Sequence, residues 1–75
     1  MKIQESAENY LETILILEKR NGIARSVDVA TELGFSKPSV SRAVSILKEG
    51  GYVTIGNIGQ LLLTDKGRQV AQNIY

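Results

Sequence analysis

The chain has 75 residues, a formal net charge of +1, and neither cysteine nor histidine, and this length allows one small domain with a single core. Without those two residue types it cannot form disulfides, thiolate nucleophiles, zinc fingers or histidine-dependent catalytic triads, so we expect no enzymatic activity. No apolar run approaches the roughly 20 residues of a membrane-spanning helix, and the first residues lack a signal peptide's apolar stretch, which predicts a cytoplasmic protein with no membrane partner.

The charge is unevenly distributed along the chain. Residues 1–34 carry four basic and six acidic side chains, a net charge of −2, whereas residues 35–75 carry five basic and two acidic side chains, a net charge of +3. A total charge near zero says little about a polyanionic partner, but a local excess of positive charge is informative. We therefore expect an anionic partner to bind the second half.

Two helices are predicted in the first half of the chain. Ser6 is placed to cap the first, which begins at Ala7 and continues with apolar residues at helical spacing until Asn21-Gly22. Ser26 is placed to cap the second helix, the segment "VDVATEL", and Gly34 follows it directly as a left-handed stop.

A third helix is predicted between a serine cap, Ser36, and the glycine pair Gly50-Gly51. Pro38 fits its first turn, because the N–H group that proline lacks would have no partner within the helix there. One face of this helix is apolar and consists of Val40, Ala43, Val44 and Leu47.

A hairpin and a fourth helix complete the predicted fold. The segments "YVTI" and "QLLLT" are rich in β-branched and aliphatic residues, and they flank the turn "GNIG" as strands of a β-hairpin. Thr64 is placed to cap the last helix, "DKGRQVAQNIY", whose buried side is Val70, Ala71 and Ile74. We predict one domain over residues 1–75, mainly α with a β-hairpin wing (α+β), a winged helix-turn-helix in the order ααα-ββ-α. Because the last helix lacks a stop signal, we expect an excised N-terminal part of a longer protein.

The second and third helices have the spacing of a helix-turn-helix. Two short helices joined by a tight glycine turn cross steeply, which requires a small residue at their contact and apolar residues at fixed offsets. With Ser26 as the first position, Ala30 is the small contact residue and Gly34 stands at the turn. The apolar positions are filled by Val29, Leu33, Phe35, Val40 and Ala43.

In a helix-turn-helix the second helix of the pair lies in the DNA major groove, which makes Lys37 to Glu49 the predicted recognition helix. Arg42 suits a bidentate contact with guanine, Pro38 suits a thymine methyl group, and Lys37 with the helix N-terminus suits a phosphate. With the apolar stripe turned inward, the residues directed outward are Pro38, Arg42, Ser45 and Glu49, flanked by Ser39 and Ser41.

The predicted DNA contacts lie in three parts of the chain. Serines are also common as helix caps and as solvated surface, and that alternative stays open for each serine taken singly. The hairpin turn has no lysine or arginine, so a purely structural turn is favoured there over a DNA contact. The predicted contacts are Ser36, Lys37, Pro38, Ser39, Ser41, Arg42, Ser45 and Lys48 on the third helix, Arg25 and Ser26 before the second, and Asn57 and Gln60 in the hairpin.

Three motifs point to one family. They are "ENYLETILILEK" in the first helix, S-x-P-S-V-S at Ser36 to Ser41, and L-T-x-x-G at Leu63 to Gly67. With these motifs the chain resembles, over nearly its whole length, the N-terminal winged-helix domain of the diphtheria-toxin-repressor family of metal-dependent regulators. The resemblance implies sequence-specific binding to a double-stranded DNA operator by a metal-dependent transcriptional repressor that acts as a homodimer.

The same resemblance implies metal ligands on the first helix, at the positions of Asn9 and Glu12, with the remaining ligands and the dimerisation domain beyond Tyr75. Glu12 suits manganese or iron(II), whereas Asn9 stands where manganese-type members have an acid and iron-type members a methionine. One carboxylate cannot complete such a coordination sphere, so we expect manganese or iron(II) only in the full-length protein. A solvated helix carboxylate remains the alternative for Glu12.

Two other functions stay open on the residues alone. A winged-helix regulator of another family would respond to an organic ligand or to stress, and its first helix should lack the acid at Glu12. A winged helix used for protein–protein interaction usually carries acidic or bulky apolar residues on the outer face of its third helix. Glu49 is the only acid on that helix here.

Overall fold

A computed structural model describes the backbone of residues 3–74 and the side chains of residues 7–72. The predicted winged helix-turn-helix with the order ααα-ββ-α is confirmed. Its elements are α1 (Ile3–Asn21), α2 (Ser26–Leu33), α3 (Lys37–Glu49), β1 (Val53–Ile55), β2 (Leu61–Leu63) and α4 (Asp65–Ile74).

Helix α1 forms the centre of the core, because α2, α3, α4 and β2 all pack against it. The apolar stripe predicted for α3 faces inward, with Val40, Val44 and Leu47 buried and Ala43 half-buried. On α4, Ala71 is buried, whereas the side chain of Ile74 lies outside the described residues. None of the helices among the described residues is long and apolar enough to cross a bilayer.

Two of the predicted helix starts are wrong. Helix α1 begins at Ile3, so Ser6 lies within the helix and does not cap it; the helical spacing of apolar residues reaches back from Ala7 to Ile3. Helix α2 begins at Ser26, and its N-cap is Arg25. The helix thus starts one residue before the predicted first residue, Val27. The reason is that Oδ2 of Asp28 accepts the backbone N–H of Arg25 at 3.1 Å, which satisfies a donor at the helix start.

The other predicted caps are confirmed. Ser36 caps α3, since its Oγ accepts the backbone N–H of Ser39 at 3.3 Å. Gly34 ends α2 with a left-handed φ of 70°, and Gly22 follows α1 with a φ of 87°. A residue with a Cβ would be strained in this conformation, which explains glycine at both stops.

One predicted core position is wrong. Phe35 is 47% exposed, although the helix-turn-helix spacing assigned it to the interior. Tyr10 of α1 is buried at this place, and the Phe35 ring lies on top of it with the ring centroids 6.1 Å apart and a tilt of 54°. The Phe35 side chain therefore covers the core from outside.

The hairpin is antiparallel and pairs Val53 with Leu63 and Ile55 with Leu61. An isolated antiparallel bridge joins Leu61 to Ala24, with the Leu61 N–H donating to the Ala24 carbonyl at 2.7 Å. Both Leu61 and Ala24 are buried. The bridge ties the hairpin to the segment that leads into α2.

Thr64 caps α4 and also fixes its start to the residues that follow α3. Its Oγ1 accepts the Gly67 N–H at 3.1 Å and donates to the Gly51 carbonyl at 2.6 Å. Its backbone N–H donates to the Tyr52 carbonyl at 3.0 Å. Gly67 packs so closely on this segment that a Cβ there would overlap the Tyr52 carbonyl oxygen. The L-T-x-x-G motif is therefore a helix junction.

Lys66 adds a second attachment at the same junction. Its Nζ donates to the Gly50 carbonyl at 3.1 Å and lies 4.4 Å from the centroid of the Tyr52 ring, a cation–π contact. Because Gly50 is the C-cap of α3, the Lys66 ammonium group also offsets negative partial charge at that helix end.

Candidate nucleic-acid interface

The outer face of α3 is polar, exposed and continuous. Every residue on it that was predicted to contact DNA is exposed, as is Glu49 near the helix end. The apolar residues Val40, Val44 and Leu47 hold the opposite face in the core. The exposed predicted residues are Ser36, Lys37, Pro38, Ser39, Ser41, Arg42, Ser45 and Lys48.

The two helices cross where the sequence places the small residue. Ala30 is only 6% exposed and Val29 is fully buried, and α2 packs against α3. Ala30 also accepts the backbone N–H of Phe35 at 3.0 Å through its carbonyl, which closes the turn after Gly34. This contact fixes α3 against α2 and leaves the outer face of α3 exposed.

The serines at the start of α3 are not equivalent. Ser36 Oγ accepts the Ser39 N–H and donates its own proton to Ser39 Oγ at 2.9 Å. The hydroxyl proton of Ser36 is thus used inside the cap, whereas that of Ser39 is left to donate outward. The Ser39 hydroxyl is the side-chain donor left at this helix end, because Pro38 has no N–H group and those of Ser39 and Val40 are bonded to Ser36.

Three cations on α3 are available to an anion. Arg20 and Arg68, elsewhere in the domain, are each held by a carboxylate at 3.1 Å, from Glu32 and Glu18 respectively. The cations of α3 have no hydrogen-bond or ion-pair partner among the residues that the structure describes, and they are Lys37, Arg42 and Lys48. A phosphate approaching α3 therefore displaces no internal ion pair.

The wing tip is a turn in which the N–H groups of Gly56, Ile58 and Gly59 are used internally. Gly56 N–H donates to the Gln60 carbonyl at 2.8 Å, and Gly59 N–H donates to the Gly56 carbonyl at 3.1 Å. Oε1 of Gln60 accepts the Ile58 N–H at 3.1 Å. The Gln60 side chain lies across Gly56, where a Cβ would overlap it. Gln60 thus stabilises the turn, while Asn57 is exposed at the tip.

The start of α2 lies beside the wing. Because Ala24 pairs with Leu61 in an antiparallel bridge, the register places Arg25 opposite Gln60. Arg25 has an extended backbone, with φ −119° and ψ 160°, and its side chain is exposed. Ser26 follows as the first, half-buried residue of α2. The predicted contacts before α2 and in the hairpin therefore belong to one area of surface.

The residues at the family's metal positions do not form a metal site by themselves. Asn9 and Glu12 are three residues apart on α1 and so share one helical face, with Asn9 exposed and Glu12 half-buried. Within residues 7–72, no group of three or more His, Cys, Asp or Glu side chains is close enough to hold an ion. These two oxygen donors do not fit a complete manganese or iron sphere.

Sequence patterns gave no signal for two features of this surface. The bridge between Ala24 and Leu61 is a single residue pair, too short for a periodicity. The position of Gln60 over Gly56 follows from a contact within the turn. A glycine four residues before a glutamine indicates nothing by itself.

Comparisons with known proteins agree with the fold. Residues 2–57 match the family described as iron dependent repressor, N-terminal DNA binding domain. The chain is similar to the HTH-type transcriptional regulator MntR of Geobacillus kaustophilus (36% identity) and of Bacillus subtilis (32%), in each case over 92% of this chain and 49% of the relative. The chain spans about half the length of these curated relatives.

A solved structure supports the same assignment. The crystal structure of a transcriptional regulator from Thermotoga maritima superposes with a TM-score of 0.70 at 27% sequence identity, covering 87% of this chain and 49% of that one. The resemblance to metal-dependent regulators is thereby confirmed. The chain belongs to the iron dependent repressor family, and it forms the N-terminal DNA-binding domain of that family.

Proposed function

We propose that the domain binds a specific double-stranded DNA sequence by placing α3 in the major groove. The observation that carries this proposal is the outer face of α3, where three cations have no partner among the described residues and the serines at the helix start leave a donor free. An exposed, unpaired cationic face fits a polyanion better than it fits a protein or an apolar ligand.

The residues of α3 have separate parts in this binding. Arg42 is exposed opposite the buried stripe of α3 and carries the fork-shaped donor group that pairs with the O6 and N7 atoms of guanine. Pro38 offers an apolar surface to a thymine methyl group, and Ser41 and Ser45 give adaptable base or phosphate contacts. Lys37, Lys48 and the Ser36–Ser39 cap hold phosphates and fix the register of the helix.

The second area of surface holds the DNA backbone. Arg25 and Ser26 at the start of α2, with Asn57 and Gln60 in the wing, offer donors to phosphate and sugar oxygens. Of the two wing side chains, Asn57 is exposed, while Gln60 is half-buried and keeps only Nε2 for DNA because Oε1 is bound within the turn. Such contacts orient the domain but do not read sequence.

We further propose that the domain serves a longer, non-catalytic regulator that represses transcription as a cytoplasmic homodimer under the control of manganese or iron(II). The relatives named above are about twice the length of this chain, which leaves room in such proteins for dimerisation and metal binding. Glu12, with Asn9 beside it on α1, would supply part of the ligand set of the metal site. A bound divalent ion would supply positive charge that joins α1 to the rest of the regulator.

The test is selection of duplexes from a random pool by the 75-residue chain, followed by fluorescence-anisotropy titration of the recovered duplex. We expect a recurring base pattern, and tighter binding to the recovered duplex than to a scrambled duplex of equal length. Pro38→Ala and replacement of thymine by deoxyuridine test the methyl contact together, because each change removes one side of it. Equal affinity for recovered and scrambled duplexes contradicts sequence-specific binding.

A further inference from the structure

Helix α3, whose side chains the structure describes in full, exposes one large apolar residue among its polar ones. Ile46 is 48% exposed, whereas the other large apolar residues of the helix are buried. It lies in the third turn, and its carbonyl accepts the Gly50 N–H at 3.0 Å, so the helix is regular around it. Ile46 therefore offers apolar surface on the face that the proposed function turns toward DNA.

The two flanks of this outer face differ in charge. One flank carries Lys37, Ser41 and Lys48, because residues four and eleven apart recur at nearly the same angle around a helix. The opposite flank of α3 carries Ser39 and Ile46, seven residues apart, and no charged side chain. Because phosphates attract the cationic flank, a helix in the major groove turns that flank to a DNA strand and its neutral flank to the base edges.

The base edges in the major groove offer one apolar group to such a flank. It is the C5-methyl group of thymine, and 5-methylcytosine carries the same group at the same ring position. An isoleucine side chain neither donates nor accepts a hydrogen bond, so among the groups on the groove floor it matches this methyl group. Ile46 follows Arg42 by four residues, which is about 6 Å along the helix axis and nearly two base-pair steps of about 3.4 Å.

We propose that Ile46 is a specificity-determining residue that packs against the C5-methyl group of a pyrimidine in the major groove. This inference rests on the proposed DNA binding by α3 and deepens it, because it adds a base position to those assigned to Pro38 and Arg42. The group recognised is a pyrimidine methyl, carried by thymine or by 5-methylcytosine. The C-terminal half of α3 thereby takes part in reading sequence.

A protein partner is the other use of an exposed apolar residue on this helix. Protein-binding faces are contiguous apolar patches. The exposed neighbours of Ile46 on α3 are polar, with Arg42 one turn before it, Glu49 one turn after it and Ser45 beside it. One isoleucine among charged and hydroxyl groups fits a single methyl group better than it fits an apolar protein surface.

The test removes the methyl group from the DNA and the isoleucine from the protein, separately and together. Each thymine of the recovered duplex is replaced in turn by deoxyuridine, which lacks only the C5-methyl group. Fluorescence anisotropy measures the affinity of each duplex for the wild-type 75-residue chain, Ile46→Ala and Pro38→Ala, after urea unfolding has shown that each variant folds. Ile55→Ala is the matched control, because Ile55 is the same residue type, 43% exposed, on β1 instead of α3.

We expect one deoxyuridine position that weakens wild-type binding about three- to tenfold and has little effect on Ile46→Ala. Such non-additivity identifies two groups in contact. This position should differ from the one coupled to Pro38→Ala, since the two residues lie eight positions apart on α3, about 12 Å along the helix axis. Ile46→Val, which removes one methyl group, should keep most of the coupling, and Ile55→Ala should couple to no position.

A second set of duplexes separates the methyl group from the rest of thymine. The thymine–adenine pair at the coupled position is replaced by a cytosine–guanine pair, with and without a 5-methyl group on the cytosine. We expect the wild type to bind the methylated form about three- to tenfold more tightly than the unmethylated form, and Ile46→Ala to bind both alike. Equal binding of the two forms by the wild type would overturn the methyl contact.

Failure of this inference is distinguishable from failure of the proposed function. A wild-type chain that binds recovered and scrambled duplexes alike overturns both. A wild-type chain that prefers the recovered duplex, while no deoxyuridine position couples to Ile46→Ala, overturns the methyl contact alone. If Ile46→Ala leaves DNA affinity unchanged but abolishes self-association in sedimentation, Ile46 belongs to a protein interface and the inference is wrong.

Discussion

Arg42 and Lys37 are both exposed cations of α3, but the helix presents them differently. Arg42 lies opposite the buried stripe in the second turn, whereas Lys37 is the first residue of the helix. We predict that Arg42→Ala costs about 1–3 kcal/mol on the recovered duplex and broadens the base preference, while Lys37→Ala weakens binding to all duplexes alike. Titrations on recovered and scrambled duplexes measure this. Equal losses on both duplexes for Arg42→Ala would count against base readout.

Tyr10 makes the stability of the domain depend on pH in the alkaline range. Burial raises the pKa of the Tyr10 phenol above its ordinary value of 10.0. A raised folded-state pKa means that folding favours the neutral phenol, so its contribution is complete below about pH 10 and is lost as pH rises through the folded-state pKa. We expect the difference in Tm between wild type and Tyr10→Phe to shift in favour of the variant as pH rises. A difference that stays constant up to about pH 11 would contradict this.

The helix starts show which signals a sequence carries on its own. Ser36 and Thr64 were predicted as caps because each capping bond runs to a backbone N–H three residues on, within one local pattern. The cap of α2 was misplaced by one residue because Asp28, inside the helix, bonds back to Arg25. Residue type alone does not show that Ser26, a common capping residue, is the first residue of the helix and not its cap.

Contacts between distant parts of the chain were the part that the sequence could not predict. Helix-turn-helix spacing alone predicts Phe35 in the core, yet its ring lies against the buried Tyr10 of α1 and is 47% exposed. The bridge between Ala24 and Leu61 and the fit of Gly67 to Tyr52 depend likewise on how elements meet. The predicted face of α3 agreed with the structure because it depends only on helical period and a buried stripe.

At the level of elements, the crossing of α2 and α3 depends on a small side chain. Ala30 is 6% exposed, and a larger side chain there would push the helices apart. We predict that Ala30→Leu lowers the free energy of unfolding by about 1–3 kcal/mol and weakens DNA binding with it. Urea unfolding measures the first effect and anisotropy the second. An unchanged free energy of unfolding would mean that the two helices do not meet at Ala30.

The junction between α3 and α4 reverses the usual effect of a helical glycine. Replacing glycine by alanine inside a helix normally stabilises it by about 1 kcal/mol. At Gly67 the new Cβ would overlap the Tyr52 carbonyl oxygen, so we expect Gly67→Ala to destabilise the domain by about 1–3 kcal/mol. Gln69→Ala, at an exposed position of the same helix, is the control and should change stability little. A more stable Gly67→Ala variant in urea unfolding would refute the close contact.

For the whole molecule, a net charge of +1 and one copy of α3 per chain limit the DNA affinity that we expect. Two linked domains would meet successive major-groove faces about one helical turn apart, and one domain forfeits that gain. We predict that the 75-residue chain binds DNA near the nonspecific range of about 10⁻⁴–10⁻⁶ M at physiological salt, and more weakly as salt rises.

Metal should not change that affinity, because Asn9 and Glu12 supply too few donors and the described residues contain no larger cluster. The titration is repeated with chelator, with manganese and with iron(II), keeping ionic strength constant. A tenfold or greater gain with either metal would show that a working metal site exists within residues 1–75.

Three hydrogen bonds tie the start of α4 to the residues that leave α3: two from Thr64, to the carbonyls of Gly51 and Tyr52, and one from Lys66 to that of Gly50. A hinge requires residues that are free to change φ and ψ, and these carbonyl groups are already held. We therefore expect a rotation of α4 to be transmitted to the C-terminal end of α3. In a two-fold assembly built through α4, the distance between the two recognition helices would be set where the subunits meet, not by bending inside this domain.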